Sequence, residues 1–129
     1  MDLYVDHMSQ PSRACLTICH MEGIPINEIE VSFIRKENRN PEFLKINPLG
    51  TVPTLVDTAN NVVITQSTAI AKYLLAVHGK YTLYPVDPIR RAHIDSLLDW
   101  HHAQLRIGVT RWVFLKVVST DGKIGRAHV

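Results

Sequence analysis

The sequence predicts an α/β chain built on one mixed sheet, and three observations predict it. Short β-forming runs alternate with helical patterns from the first residues onward. One helical pattern separates the first two runs, the arrangement that joins parallel strands through a right-handed crossover. A turn-rich stretch at residues 57–61 separates two later runs, the arrangement of an antiparallel hairpin.

Each element has its own signal. Leu3, Tyr4 and Val5 are good strand formers, and they stop at Asp6 and His7. Ser9-Gln10-Pro11 is a helix start, with a capping hydroxyl and a proline in the first turn. Cys15, Ile18 and Cys19 recur at helical spacing, Gly23 stops the helix, and Ile24-Pro25 is extended. Ile29, Val31 and Phe33 alternate with Glu30 and Ser32, which predicts a second strand over those residues. Residues 35–40 are polar and of mixed charge and read as a loop. Pro41-Glu42-Phe43-Leu44 opens a short helix ending near Asn47-Pro48, and Leu49-Gly50 is a turn.

Residues 51–56 read as a strand whose Pro53 must stand at a sheet edge or at the strand's start. Val62, Val63 and Ile64 form the returning strand. Gln66-Ser67-Thr68 reads as a capped helix start, with Ile70, Tyr73, Leu74 and Val77 on one face and Gly79 at the end. Residues 80–88, with Pro85 and Pro88, read as a linker. Beyond it, Ile94, Leu97, Leu98, His101, Leu105 and Trp112 mark a long amphipathic helix, while Arg90, Arg91, Asp95 and Asp99 fall mostly off its stripe. Such a helix needs a partner to bury its face.

Composition removes several function classes. The chain has 129 residues, Lys plus Arg 14 against Asp plus Glu 12, and 46% hydrophobic content, which suits a folded domain rather than a disordered tail. No apolar run approaches the ~20 residues that span a bilayer. No basic block supports a nucleic-acid arm, and no secretory leader pattern is present. The two cysteines are too few for a disulfide scaffold, and thiols used so sparingly suit a reducing cytoplasm. Cys15 and Cys19 lie one helical turn apart inside a helix, so they read as core thiols rather than a redox pair. His101 and His102 are adjacent and face different directions, and no spacing matches a metal site.

The motifs, taken in order, resemble a glutathione transferase, most closely the theta class. They are Ser9-Gln10-Pro11-Ser12-Arg13, Ile24-Pro25, Asn47-Pro48-Leu49, Val52-Pro53 and Gln66-Ser67-Thr68-Ala69-Ile70. Leu83-Tyr84-Pro85 and Asp99-Trp100-His101-His102 extend the match, so that it covers residues 3–115. The resemblance implies a thioredoxin-like first domain with a four-stranded mixed sheet that binds glutathione. It implies an all-helical second domain that holds most of the electrophile pocket. The implied boundaries are 1–79 for the first domain, 80–88 for the linker and 89–123 for the start of the second.

Candidate site residues follow from both readings. Ser9 is a helix cap by position. The same geometry lets its hydroxyl donate to a bound thiolate near the positive helix end. Glutathione's thiol, with a free pKa of about 8.5, would then ionise more readily. The resemblance assigns Ser9 that role, as a hydrogen-bond donor and not a nucleophile, with Ser12 as the fallback. It also implies a cis bond at Val52-Pro53, turning the Val52 backbone toward the cysteinyl part of glutathione. Gln66 and Ser67 would hold the γ-glutamyl end, with the helix N-terminus favouring its carboxylate. Thr51 stands where the class often has lysine, and Gln66 where it usually has glutamate. Each replacement implies one charged contact fewer. Asn38 aligns with a position touching the glycyl end, and Arg106 with an arginine that reaches the site from the second domain.

The implied activity of the parent protein is conjugation of glutathione, as co-substrate, to small electrophiles, or reduction of organic hydroperoxides, by a cytoplasmic homodimer. A non-catalytic binding or assembly module of the same fold, or an inactive fragment, are the alternatives. Retention of the Ser9 motif favours the enzyme, since a scaffold has no need of that hydroxyl. The expected end of the chain is unusual. Residues 124–129, Ile-Gly-Arg-Ala-His-Val, are what the string ATC GGA AGA GCA CAC GTC translates to, and that string resembles a widely used sequencing-library adapter, which predicts a non-native tail.

Overall fold

The computed structural model of the chain describes residues 1–113. The chain divides into two compact units between Tyr84 and Pro85, inside the segment expected as a linker. The first unit holds the sheet, made of β1 (Asp2–Val5), β2 (Asn27–Glu30), β3 (Thr54–Asp57) and β4 (Val62–Thr65) in the order β2-β1-β3-β4. β1 and β2 run parallel, while β3 pairs antiparallel with both β1 and β4, so the sheet is mixed. Helix α1 (Gln10–Glu22) joins the parallel pair, α2 (Pro41–Ile46) precedes β3, and α3 (Ser67–Val77) follows β4. This is the thioredoxin-like arrangement expected from the motifs.

The strand period of two decides which side each residue serves. Leu3 and Val5 of β1 are fully buried and join Cys15, Cys19, Leu55, Ile70 and Leu74 in the main core under α1 and α3. Tyr4, between them, packs instead with Val31, Phe43 and Val52 in a second cluster on α2, its ring 5.6 Å from that of Phe43. Gly23 ends α1 at φ 64, and the Ile24 N–H donates to the Cys19 carbonyl at 2.8 Å, which closes the last turn.

Three local expectations are corrected. β2 spans Asn27–Glu30 and does not run on to Phe33. The Val31 N–H still donates to the Val5 carbonyl at 2.7 Å, but the next donor on that side, the Phe33 N–H, is taken by a side chain. Phe33 N–H donates to Asp6 Oδ2 at 2.8 Å, so the ladder with β1 cannot continue, while the Ser32 N–H on the outer edge donates to Glu37 Oε2 at 2.8 Å. Glu37 belongs to a short 3₁₀ turn, Glu37–Arg39, within the stretch read as loop. β3 begins at Thr54 rather than Thr51, directly after Pro53, which has no N–H for the ladder. The start of α3 carries no side-chain cap, because Gln66 makes none.

The second unit contains α4 (Pro88–Trp100), a wide helical turn at His101–Leu105, and α5 (Arg106–Val113). Asp87 caps α4, its Oδ1 accepting from the Arg90 N–H at 2.8 Å. Leu97 and Trp112 of the expected apolar stripe are exposed. The end of the helical pattern near Val118, the turn at Thr120-Asp121-Gly122 and the expected non-native tail 124–129 lie outside the described residues.

Candidate functional site

Sheet register gathers the predicted residues at one end of the first unit. Parallel β1 and β2 both finish there, and ligands of α/β sheets bind beyond such carboxyl ends. Tyr4, near the end of β1, pairs with Thr54, the first residue of β3. Thr54 in turn pairs with Thr65, the last residue of β4. One step past this row stand Pro53 and Val52 on β3's side and Gln66 and Ser67 on β4's. The loop from Asp6 to Ser9 leaves β1 on the same edge. A long contact from Cys15 Sγ to the Ser67 carbonyl, 3.5 Å, ties α1 to the start of α3.

Ser9 is half-buried at the N-cap of α1, with φ −75 and ψ 114. Its Oγ accepts from the Ser12 N–H at 3.4 Å. A hydroxyl has one hydrogen and two lone pairs, so capping uses an acceptor site and leaves the O–H to donate. Capping and thiolate donation are therefore compatible uses of one group, and the cap orients it. Ser12 is different. It is fully buried, and its Oγ faces the Asp6 N–H at 3.5 Å, so the fallback hydroxyl belongs to the core.

The Val52-Pro53 peptide bond is cis, as the resemblance implied. Both residues are buried, and Thr51 beside them is exposed. Asn47 holds this turn, a role that the spacing of the motifs did not reveal. It is 2% exposed and its Nδ2 donates to the Thr51 carbonyl at 2.9 Å, Thr51 Oγ1 at 3.1 Å and Thr54 Oγ1 at 2.9 Å. Its Oδ1 accepts from the Leu49 N–H at 3.1 Å. One amide thus fastens both sides of Val52-Pro53. The signal for it is Asn before Pro, which sequence alone reads as a helix end.

Asn38 is half-buried rather than free in solvent. Its Nδ2 donates to the Gly50 carbonyl at 3.0 Å, so it braces the turn leading into Thr51. Gly50 has φ +61, and a Cβ there would lie 2.8 Å from the Asn38 carbonyl oxygen. No other residue type satisfies both conditions. Gln66 adopts φ 75 and ψ 114, a conformation that side chains rarely accept. Arg106 opens α5 in the second unit, so the first unit's geometry does not include it.

The cysteines are inert by environment. Burial first, then the neighbouring Cys19, pushes the Cys15 thiol up to about 12, and burial also raises that of Cys19. Neither supplies a thiolate near neutral pH.

Comparison with known proteins gives the family. Residues 3–91 match the family described as Glutathione S-transferase, N-terminal domain. The chain belongs to the glutathione S-transferase family. Its relatives place it with the theta class. It is 40% identical over 120 residues to Glutathione S-transferase T1 of Arabidopsis thaliana, covering 92% of this chain and 48% of that one. It is 36% identical over 119 residues to human Glutathione S-transferase theta-2, covering 88% and 47%. The crystal structure of human glutathione transferase theta-2 in complex with glutathione and an unknown ligand superposes with TM-score 0.84 at 33% identity, over 91% of this chain and 48% of that one. Human glutathione S-transferase T1-1 in its apo form gives 0.82 at 34% identity, with 91% and 48% coverage. The chain spans about half the length of these two curated relatives.

Proposed function

We propose that the Ser9 hydroxyl donates a hydrogen bond to the glutathione thiolate, in a parent protein that conjugates glutathione to small electrophiles or reduces organic hydroperoxides with it. The observation that carries this reading is the Ser9 geometry. The Oγ accepts from the Ser12 N–H, and its free O–H stands at the positive end of α1. Val52 offers its backbone to the cysteinyl part, with Pro53 setting its direction. Gln66 and Ser67 take the γ-glutamyl end at the start of α3. Thr51, with Asn38 bracing its turn, lies toward the glycyl end, and Arg106 comes from the helical part. In conjugation, the thiol proton leaves to solvent. The thiolate sulfur then forms a bond to the electrophilic carbon as the leaving group departs with its electron pair.

The relatives support the substrate. One human theta-class structure, 35% identical with TM-score 0.79, is a complex with the glutathione conjugate of 1-menaphthyl sulfate. The sparing cysteine use and the class resemblance support a cytoplasmic homodimer for the parent protein.

Thiol titration of bound glutathione tests the reading. A hydrogen bond to a charged group contributes about 1.5–3 kcal/mol, so Ser9→Ala is expected to raise the bound thiol's pKa by roughly 1–2 units. Conjugation by the full-length protein is expected to fall about 10- to 100-fold. Equal pKa values and rates for Ser9 and Ser9→Ala would remove Ser9 from the mechanism.

A further inference from the structure

Asp6 is a carboxylate at the end of β1, only 6% exposed. Its two oxygens serve different loops. Oδ1 accepts from the Met8 N–H at 2.7 Å and Oδ2 from the Phe33 N–H at 2.8 Å. Both distances are at the short end for a backbone donor, as expected when the acceptor is charged. The backbone of Asp6 is committed to the same turn. Its carbonyl accepts from the Ser9 N–H at 2.9 Å, and its own N–H faces Ser12 Oγ. Asp6 thus holds the segment between β1 and α1 through side chain and backbone, beside Arg13 Nη1 donating to the His7 carbonyl at 2.8 Å and His7 Nε2 lying 2.7 Å from Glu28 Oε1, and it also grips the segment following β2.

These contacts have a directional consequence. The Met8 bond closes a tight turn that feeds straight into Ser9, whose Oγ position depends on how the chain enters α1. The Phe33 bond fixes the neighbouring loop across the ends of the parallel strands, where that N–H would otherwise continue the ladder of β2. Two loops at the mouth of the candidate site are thus joined through a single carboxylate.

We infer that Asp6 is a positioning residue for thiolate formation. It holds the Ser9 hydroxyl in its donating orientation by locking the Ser9 turn to the loop after β2. The inference rests on the reading of Ser9 as the thiolate donor. A carboxylate is needed because both partners are N–H donors. The amide of Asp6→Asn keeps one acceptor oxygen and turns its NH₂ toward the other donor, so one of the two bonds is lost and replaced by repulsion.

The test is a double-mutant cycle on the pKa of glutathione bound to the chain, read from its ultraviolet thiolate absorbance. The four proteins are the unmodified chain, Asp6→Asn, Ser9→Ala and the double variant. Asp6→Asn is expected to raise the bound thiol's pKa by at least half the shift that Ser9→Ala produces. In the Ser9→Ala background, Asp6→Asn is expected to add nothing, because its effect passes through that hydroxyl. An equal Asp6→Asn shift in both backgrounds overturns the inference, since Asp6 would then act independently of Ser9. A shift with Ser9→Ala and none with Asp6→Asn overturns the inference alone. No shift with Ser9→Ala removes the Ser9 reading and this inference with it.

Should Asp6→Asn fail to fold, amide exchange in the unmodified chain decides. Saturating glutathione is then expected to slow exchange of the Met8, Ser9 and Phe33 amides by a common factor. Protection of Ser9 without Phe33 overturns the joining of the two loops.

Discussion

Gln66 holds a backbone conformation that costs on the order of 1–3 kcal/mol for a residue with a side chain, and it makes no cap bond in return. Such strain at the entry to a helix points to use of the residue by a ligand. Gln66→Ala is therefore expected to leave the thermal midpoint unchanged and to weaken glutathione binding about 10-fold, as isothermal titration would show. Unchanged affinity would place the γ-glutamyl end elsewhere. Gly50 behaves in the opposite way. Its φ of +61 and the nearby Asn38 carbonyl leave no room for Cβ, so Gly50→Ala should destabilise the chain by about 2 kcal/mol or more in urea denaturation. Ser9, Val52, Gln66 and Ser67 could be picked out as motif residues. The bracing roles of Asp6, Asn38 and Asn47 could not, because each depends on a donor or acceptor contributed by another segment.

Among the elements, the β3–β4 hairpin and α3 are joined by Asp57. This carboxylate is 1% exposed and accepts from the Tyr73 hydroxyl and the Asn60 amide, each at 2.7 Å, as well as from the Ala59 N–H at 3.1 Å. The Asn60 side chain first, then the Tyr73 hydroxyl, lowers its pKa below the ordinary carboxylate value. A depressed folded pKa means stability fully present above the unfolded value, about 3.9, and lost as pH falls through the folded one. Tyr73→Phe removes one of the bonds that hold the pKa down. Its thermal midpoint should be lower at neutral pH, and the difference from the unmodified chain should shrink below pH ~4. A difference constant from neutral to acid would exclude this coupling. Tyr73 itself reads from sequence as one member of an apolar helical face. Its hydroxyl partner became visible only when the hairpin folded against α3. The shortened β2 has the same origin, since Phe33 keeps the alternation yet loses its ladder donor to Asp6.

For the whole molecule, stability of the first unit concentrates in the layer between the sheet and helices α1 and α3. Leu74 is fully buried there with Leu3, Leu55 and Ile70. Leu74→Ala should cost about 2–5 kcal/mol, a large part of the ~5–15 kcal/mol that holds a typical domain. Urea denaturation followed by far-ultraviolet circular dichroism would measure it, and a cost within ~0.5 kcal/mol would mean that this layer is not the core. What the sequence determined by itself was the order and type of the elements, the α/β class and the family motifs. Those properties are written in local periodicity, caps and turn residues, which act over a few neighbouring positions. Tertiary structure alone decided the end of β2, the burial of Ser12 against the availability of Ser9, and the clasping of the site by Asp6, Asn38 and Asn47. Asp6 to Phe33 and Asn38 to Gly50 join segments well separated in the chain, while the bonds of Asn47 and Ser12 form only once a turn has folded back on itself. A donor's partner cannot be assigned until the sheet sets which segments meet.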